Sequence, residues 1–169
     1  MKSFAPEKER VKIRSTAMTQ VLIVGYGNPL RCDDGLGWSA AEALSRSLPF
    51  PEMEIVVCHQ LTPELADSLR SADIVFFIDA ARDGQPGELS CEPVTLQPGI
   101  IRSHLLSPAH LLAMAQQLYG ATPRAFTVSL CGECFDHGAT LSSTVETALP
   151  KLTALVEGLI RQTLTQPCG

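Results

Sequence analysis

Apolar runs of strand length alternate along this chain with stretches whose apolar residues recur every three or four positions. That alternation predicts an α/β fold, a doubly wound, mostly parallel five-stranded sheet with helices on both faces. Two further observations support it. The run Asp-Ile-Val-Phe-Phe-Ile-Asp from Asp73 to Asp79 is nearly continuously apolar, as expected of a strand covered on both sides. A chain of 169 residues, 45% hydrophobic and 18% charged, is also long and apolar enough for one buried domain, assigned to 19–165 behind an N-terminal arm at 1–18.

The arm holds Lys2, Lys8 and Lys12, leaving only Lys151 elsewhere, and its lack of periodicity predicts mobility. Met18, just ahead of the first strand, is a second candidate for the start of translation. Val21 to Val24 predicts a buried strand that breaks at Gly25, Gly27, Asn28 and Pro29 into a loop carrying Asp33 and Asp34. Leu36, Ala40, Ala43, Leu44 and Leu48 share one face of a first helix, ended by Pro49 and Pro51. Met53 to Cys58 alternates as a second strand, and Thr62-Pro63 predicts a threonine-capped helix with Leu65, Leu69 and Ala72 inward.

The third strand is expected to close on Asp79. Gly84, Pro86 and Gly87 then mark a turn, and Glu88 to Leu96 predicts an edge strand. Ser107-Pro108 opens a third helix with Leu111, Leu112, Ala115 and Leu118 inward, and Ala125 to Leu130 supplies the last strand. Ser143-x-x-Glu146 reads as a capping box before a long closing helix, whose apolar stripe runs from Val145 to Ile160 and which Pro150 is expected to kink.

Composition excludes several classes. A net charge of −5 argues against nucleic acid, whose binders cluster lysine and arginine. No apolar run reaches the ~20 residues of a membrane helix, and the N-terminus lacks a signal peptide's apolar middle, so a cytoplasmic protein is expected. The six cysteines (32, 58, 91, 131, 134, 168) therefore read as reduced thiols.

The chemistry gathers on one edge. In a parallel sheet the loops after strands and before helices share a rim, which brings together Asp34 after the first strand, Asp79 at the end of the third, and His104 ahead of the third helix. Two carboxylates and an imidazole suit a divalent metal of borderline softness, such as nickel or zinc. Taken alone, an Asp-Asp-Gly loop is as readily a turn with a helix cap. Asp79 resists a bland reading, because a charge closing an apolar strand costs several kcal/mol unless paired. His59 and Gln60 end the second strand on the same rim, where a plain helix-start role is favoured over contact with a substrate.

The pattern Gly25-x-Gly27-Asn28-x-Leu30-x-x-Asp33-Asp34-Gly35-x-Gly37 resembles the signature of the hydrogenase maturation proteases, and the resemblance extends over about residues 19–160. These enzymes trim the C-terminal tail of the large subunit of nickel-iron hydrogenases. The resemblance implies an endopeptidase whose partner is the [NiFe] hydrogenase large-subunit precursor. It further implies that nickel, carried by that substrate, docks against Asp34, Asp79 and His104, with Asp34 and Asp79 catalytic and no organic cofactor. Gly27, Asn28, Asp33, His59 and Gln60 would then face the substrate. Several family members have glutamate where this chain has Asp34, so the acidic arm here is one methylene shorter. His59-Gln60-Leu61-Thr62-Pro63-Glu64-Leu65 looks most like the branch serving bidirectional NAD-reducing hydrogenases. Two chemistries are open: a bound metal polarises the scissile carbonyl and activates water, or Asp34 or Asp33 acts as general base.

Rival readings are weaker. A dinucleotide fingerprint would need a third glycine where Leu30 stands, and Asp33 with Asp34 would repel a pyrophosphate. A receiver domain would need a lysine after the last strand, where Cys131, Gly132 and Glu133 stand instead. A non-catalytic nickel chaperone would use the same ligands and stays open. Cys131-x-x-Cys134 has no second pair to complete a zinc site, which disfavours a functional thiol motif.

Overall fold

The computed structural model describes residues 19–48, 51–96 and 105–165. The arm at 1–18, Pro49 and His104 lie outside the described residues. Five strands, β1 (Val21–Tyr26), β2 (Met53–Cys58), β3 (Ile74–Ala81), β4 (Leu89–Pro93) and β5 (Arg124–Cys131), form one sheet in the order β2-β1-β3-β5-β4. All neighbours pair in parallel except β4, which runs antiparallel along the outer edge of β5.

Alternation along the central strands explains how the helices divide. Val21 and Ile23 of β1, with Ile74, Phe76 and Ile78 of β3, point to one face, which is covered by α1 (Leu36–Ser47) and α4 (Ser143–Thr165). Leu22 and Val24, with Val75 and Phe77, point to the other face, beneath α2 (Leu65–Leu69) and α3 (Pro108–Tyr119). The expected doubly wound sheet is therefore present. Among the described residues no helix is long and apolar enough to cross a membrane.

Local details depart from expectation at several points. The third strand does not close on Asp79 but continues to Ala81, with Asp79 opposite Ser129 of β5. Thr62 does not cap α2, a helix of only five residues with no side-chain cap; the bonds Leu65 N to Thr62 O and Ala66 N to Pro63 O make a tight turn instead. Ser142, not Ser143, precedes the closing helix, and its Oγ accepts from Val145 N at 3.3 Å. That helix continues through Pro150 as one element. The Ser107-Pro108 start of α3 is as expected, but Leu118 is 60% exposed, because α3 packs through Leu111, Leu112 and Ala115.

Candidate active site

The candidate site lies where β1 and β3 run side by side while their onward connections leave to opposite sides, the place where open α/β sheets leave a crevice beyond the strand ends. Glycines set the approach. Gly27 leaves β1 at φ 125°, a conformation that side chains rarely adopt, and donates its amide to Cys58 O at 3.1 Å. A Cβ there would collide with the Asp34 backbone carbonyl and stand 3.6 Å from Asp79 Oδ1, so Gly27 lets the turn that carries Asp34 pass close to Asp79. Gly25 and Gly37 are in equally close contact, which seats the first turn of α1 on β1.

Asp34 belongs to the 3-10 turn Cys32–Gly35 that feeds directly into α1. Its Oδ2 accepts from Asn28 N at 3.0 Å, while the Asn28 side chain accepts from Leu30 N at 2.9 Å. Asn28 thus folds the turn and orients the carboxylate with one amide. Asp79 projects on the same side of the sheet as Val75 and Phe77. It accepts from Ala80 N at 2.7 Å and from the Tyr26 hydroxyl. Burial, with the Asp34 charge adding to it, raises the Asp79 pKa to about 6, even though the Ala80 amide, the Tyr26 hydroxyl and Arg82 pull the other way. Tyr26 is shifted up in turn, first by burial and then by the Asp79 charge. The sequence offered no motif for Tyr26; only its alternation with Leu22 and Val24 could have placed it on the Asp79 face.

Asp33 is elsewhere. It is 0% exposed, and its carboxylate accepts Glu133 N at 2.7 Å, Cys134 N at 2.9 Å, Ser142 N at 2.7 Å and Ser142 Oγ at 2.9 Å. Burial pushes its pKa up, but these hydrogen bonds outweigh it and hold the carboxyl below the usual range. The side chain proposed for substrate contact or general base work instead pins the loop between β5 and α4 to the acidic turn. Arg31 reinforces the junction by donating Nε and Nη2 to Phe135 O at 3.2 and 3.1 Å.

The rim beside β2 carries exposed His59 and Gln60. His59 meets the edge of Trp38 at 5.7 Å between ring centroids, and the Trp38 indole donates to Gly27 O at 2.9 Å, which connects His59 to the glycine turn. His110, in the first turn of α3, is occupied in the cap of that helix, with Nδ1 2.9 Å from Ser107 Oγ. Among the described residues no three His, Cys, Asp or Glu side chains are grouped to hold a metal, and the third expected ligand, His104, is outside them. Of the Cys131-x-x-Cys134 pair, Cys131 is buried with its thiol toward Gly132 O at 3.8 Å. A cavity of about 270 Å³ lined by Arg70, Asp73 and Pro123 is at the opposite end of the strands, away from the acids.

Fold and site together define a doubly wound α/β protein with two carboxylates, Asp34 and Asp79, at its switch point. Solved structures with this architecture include the hydrogenase maturating endopeptidase HybD from Escherichia coli, 21% identical with a TM-score of 0.68, the match covering 86% of this chain and 94% of that one. The [NiFe] hydrogenase maturation protease HycI from Thermococcus kodakarensis is 20% identical over 85% of this chain and 93% of its own, with a TM-score of 0.69. A hydrogenase 2 maturation peptidase from a Thaumarchaeota archaeon is 26% identical over 83% and 98%, with a TM-score of 0.62. No family model matches the chain, and no curated protein does.

Proposed function

We propose that this protein is an endopeptidase that removes the C-terminal extension of a [NiFe] hydrogenase large-subunit precursor once nickel is in place. The observation that carries the reading is the approach of Asp79 to the turn that carries Asp34, near enough for the Asp34 charge to act on it, although 44 residues intervene in sequence. Solved structures of the same architecture, at 26% identity and below, that are themselves hydrogenase maturation peptidases give it its substrate class.

The donor set fits a divalent cation presented by the substrate. Asp79 is driven toward its protonated form by burial and by Asp34, and a cation would relieve that repulsion. Asp34, Asp79 and His104 would hold it. Nickel bound there would supply Lewis-acid polarisation of a carbonyl oxygen. The chain's own groups do the rest. Asn28 and Tyr26 orient the two carboxylates. Asp34, whose carboxylate accepts no other hydrogen bond among the described residues, is the general base toward an attacking water. Asp79, with its pKa near 6, is poised to exchange a proton close to neutral pH. His59, Gln60 and Trp38 form the rim against which the precursor tail would lie, and the His59 to Leu65 segment supports a partner of the bidirectional NAD-reducing type; the reaction would take place in the cytoplasm.

Incubation of the protein with nickel-loaded and nickel-free precursor tests the reading. A tail should be released from the loaded form only, and Asp79→Ala should abolish release while retaining the far-ultraviolet spectrum. Equal trimming by wild type and variant would remove the proposed role. Binding of nickel-loaded precursor without cleavage would favour the chaperone alternative.

A further inference from the structure

None of the six cysteines has a part in the proposed reaction, yet two of them meet. The Cys32 thiol lies beside the Cys134 thiol. Backbone bonds fix the approach: Asp33 N donates to Cys134 O at 2.9 Å and Cys32 N to Gly138 O at 2.7 Å, next to a bridge between Arg31 and Gly138. Cys32 is the only non-glycine at positive φ among the described residues, at 46°, a conformation that costs a side-chain-bearing residue free energy. Its sulfur is received closely: a Cβ on Gly138 would stand 2.8 Å from Cys32 Sγ. Both cysteines are partly exposed, within reach of a small reagent, whereas Cys131 is buried.

We infer that Cys32 and Cys134 form a reversible dithiol–disulfide site that locks the acidic turn to the loop between β5 and α4. The oxidant is a low-molecular-weight disulfide such as oxidised glutathione. One cysteine thiolate attacks that disulfide, forming a mixed disulfide and releasing one small thiol. The second cysteine attacks the protein-side sulfur, closes the internal S–S bond and releases the other small thiol. Two electrons pass from the cysteine pair to the reagent, and the two protons lost by the pair end on the released thiols. The bond closes a loop of roughly 100 residues, so it constrains the unfolded chain strongly. The inference does not rest on the peptidase reading.

The test uses the native full-length protein treated with oxidised glutathione, then alkylated, digested and examined by mass spectrometry. The expected result is a peptide pair joined through Cys32 and Cys134, dissolved by dithiothreitol, with a melting midpoint raised on the order of 10 °C. Cys134→Ser should abolish both the joined pair and the oxidative rise. Recovery of the two as free alkylated thiols, as separate glutathione adducts, or as a Cys131 to Cys134 bond would overturn the inference, as would a rise that persists in Cys134→Ser.

Discussion

Asp33 and Asp34 are consecutive, chemically identical and part of one 3-10 turn, yet one is sealed in the scaffold and the other borders the crevice. Asp33 receives four hydrogen bonds from the loop between β5 and α4, while Asp34 receives one, from Asn28. The difference teaches that an acidic pair in a turn can divide structure from chemistry. The carboxylate that accepts four hydrogen bonds holds the loops, and the one left open is the reactive candidate. Asp79, across Gly27, belongs with the second kind, since it is raised toward neutrality where Asp33 is lowered.

Removing the scaffold acid should have the largest effect. Asp33→Ala strips a buried acceptor from three backbone amides and a hydroxyl, and is expected to cost about 3 kcal/mol or more in urea unfolding. Because its folded pKa is lowered, the stability Asp33 contributes is present above the ordinary carboxylate pKa and lost as pH falls through that region. Asp79 carries the opposite signature. Its pKa rises from 3.8 to about 6, so its contribution is full below about pH 4 and is lost as pH climbs through 6. Asp79→Asn should therefore gain about 2 kcal/mol at pH 7.5 and flatten the decline between pH 4 and 7, as thermal melts across that range would show. A variant with the wild-type pH profile would break the contrast between the two acids.

Smaller changes sharpen it. Ser142→Ala removes both a cap on α4 and one bond to Asp33, for an expected loss of about 1.5 kcal/mol by chemical denaturation. Tyr26→Phe takes one donor from Asp79, costing about 1 kcal/mol or less, and should move the Asp79 titration upward in carboxyl NMR, because that hydrogen bond lowers its pKa.

Much of this was legible in the sequence because it rests on periodicity. The runs Val21–Tyr26, Met53–Cys58 and Ile74–Ala81 have the alternation or unbroken apolarity that a two-faced sheet requires, and the glycines after Val24 marked the turn that leaves β1. The rim address of Asp34 and Asp79 followed from parallel topology alone. What escaped was anything set by long-range pairing. Nothing local distinguishes Asp33 from Asp34, since its partners Glu133, Cys134 and Ser142 are about a hundred residues away. The same holds for the meeting of Cys32 with Cys134 and for Ser142 displacing Ser143 as cap, a choice made by the bond from Ser142 to Asp33. Thr62 failed as a cap because the chain tightens into successive three-residue turns before α2 begins.

The most direct measurement sets Asp33→Asn beside Asp34→Asn, each assayed for melting midpoint and for release of the tail from nickel-loaded precursor. The division of labour predicts that Asp34→Asn melts like wild type and releases no tail, while Asp33→Asn melts well below wild type. Normal release by Asp34→Asn, or an unchanged midpoint for Asp33→Asn, would contradict it.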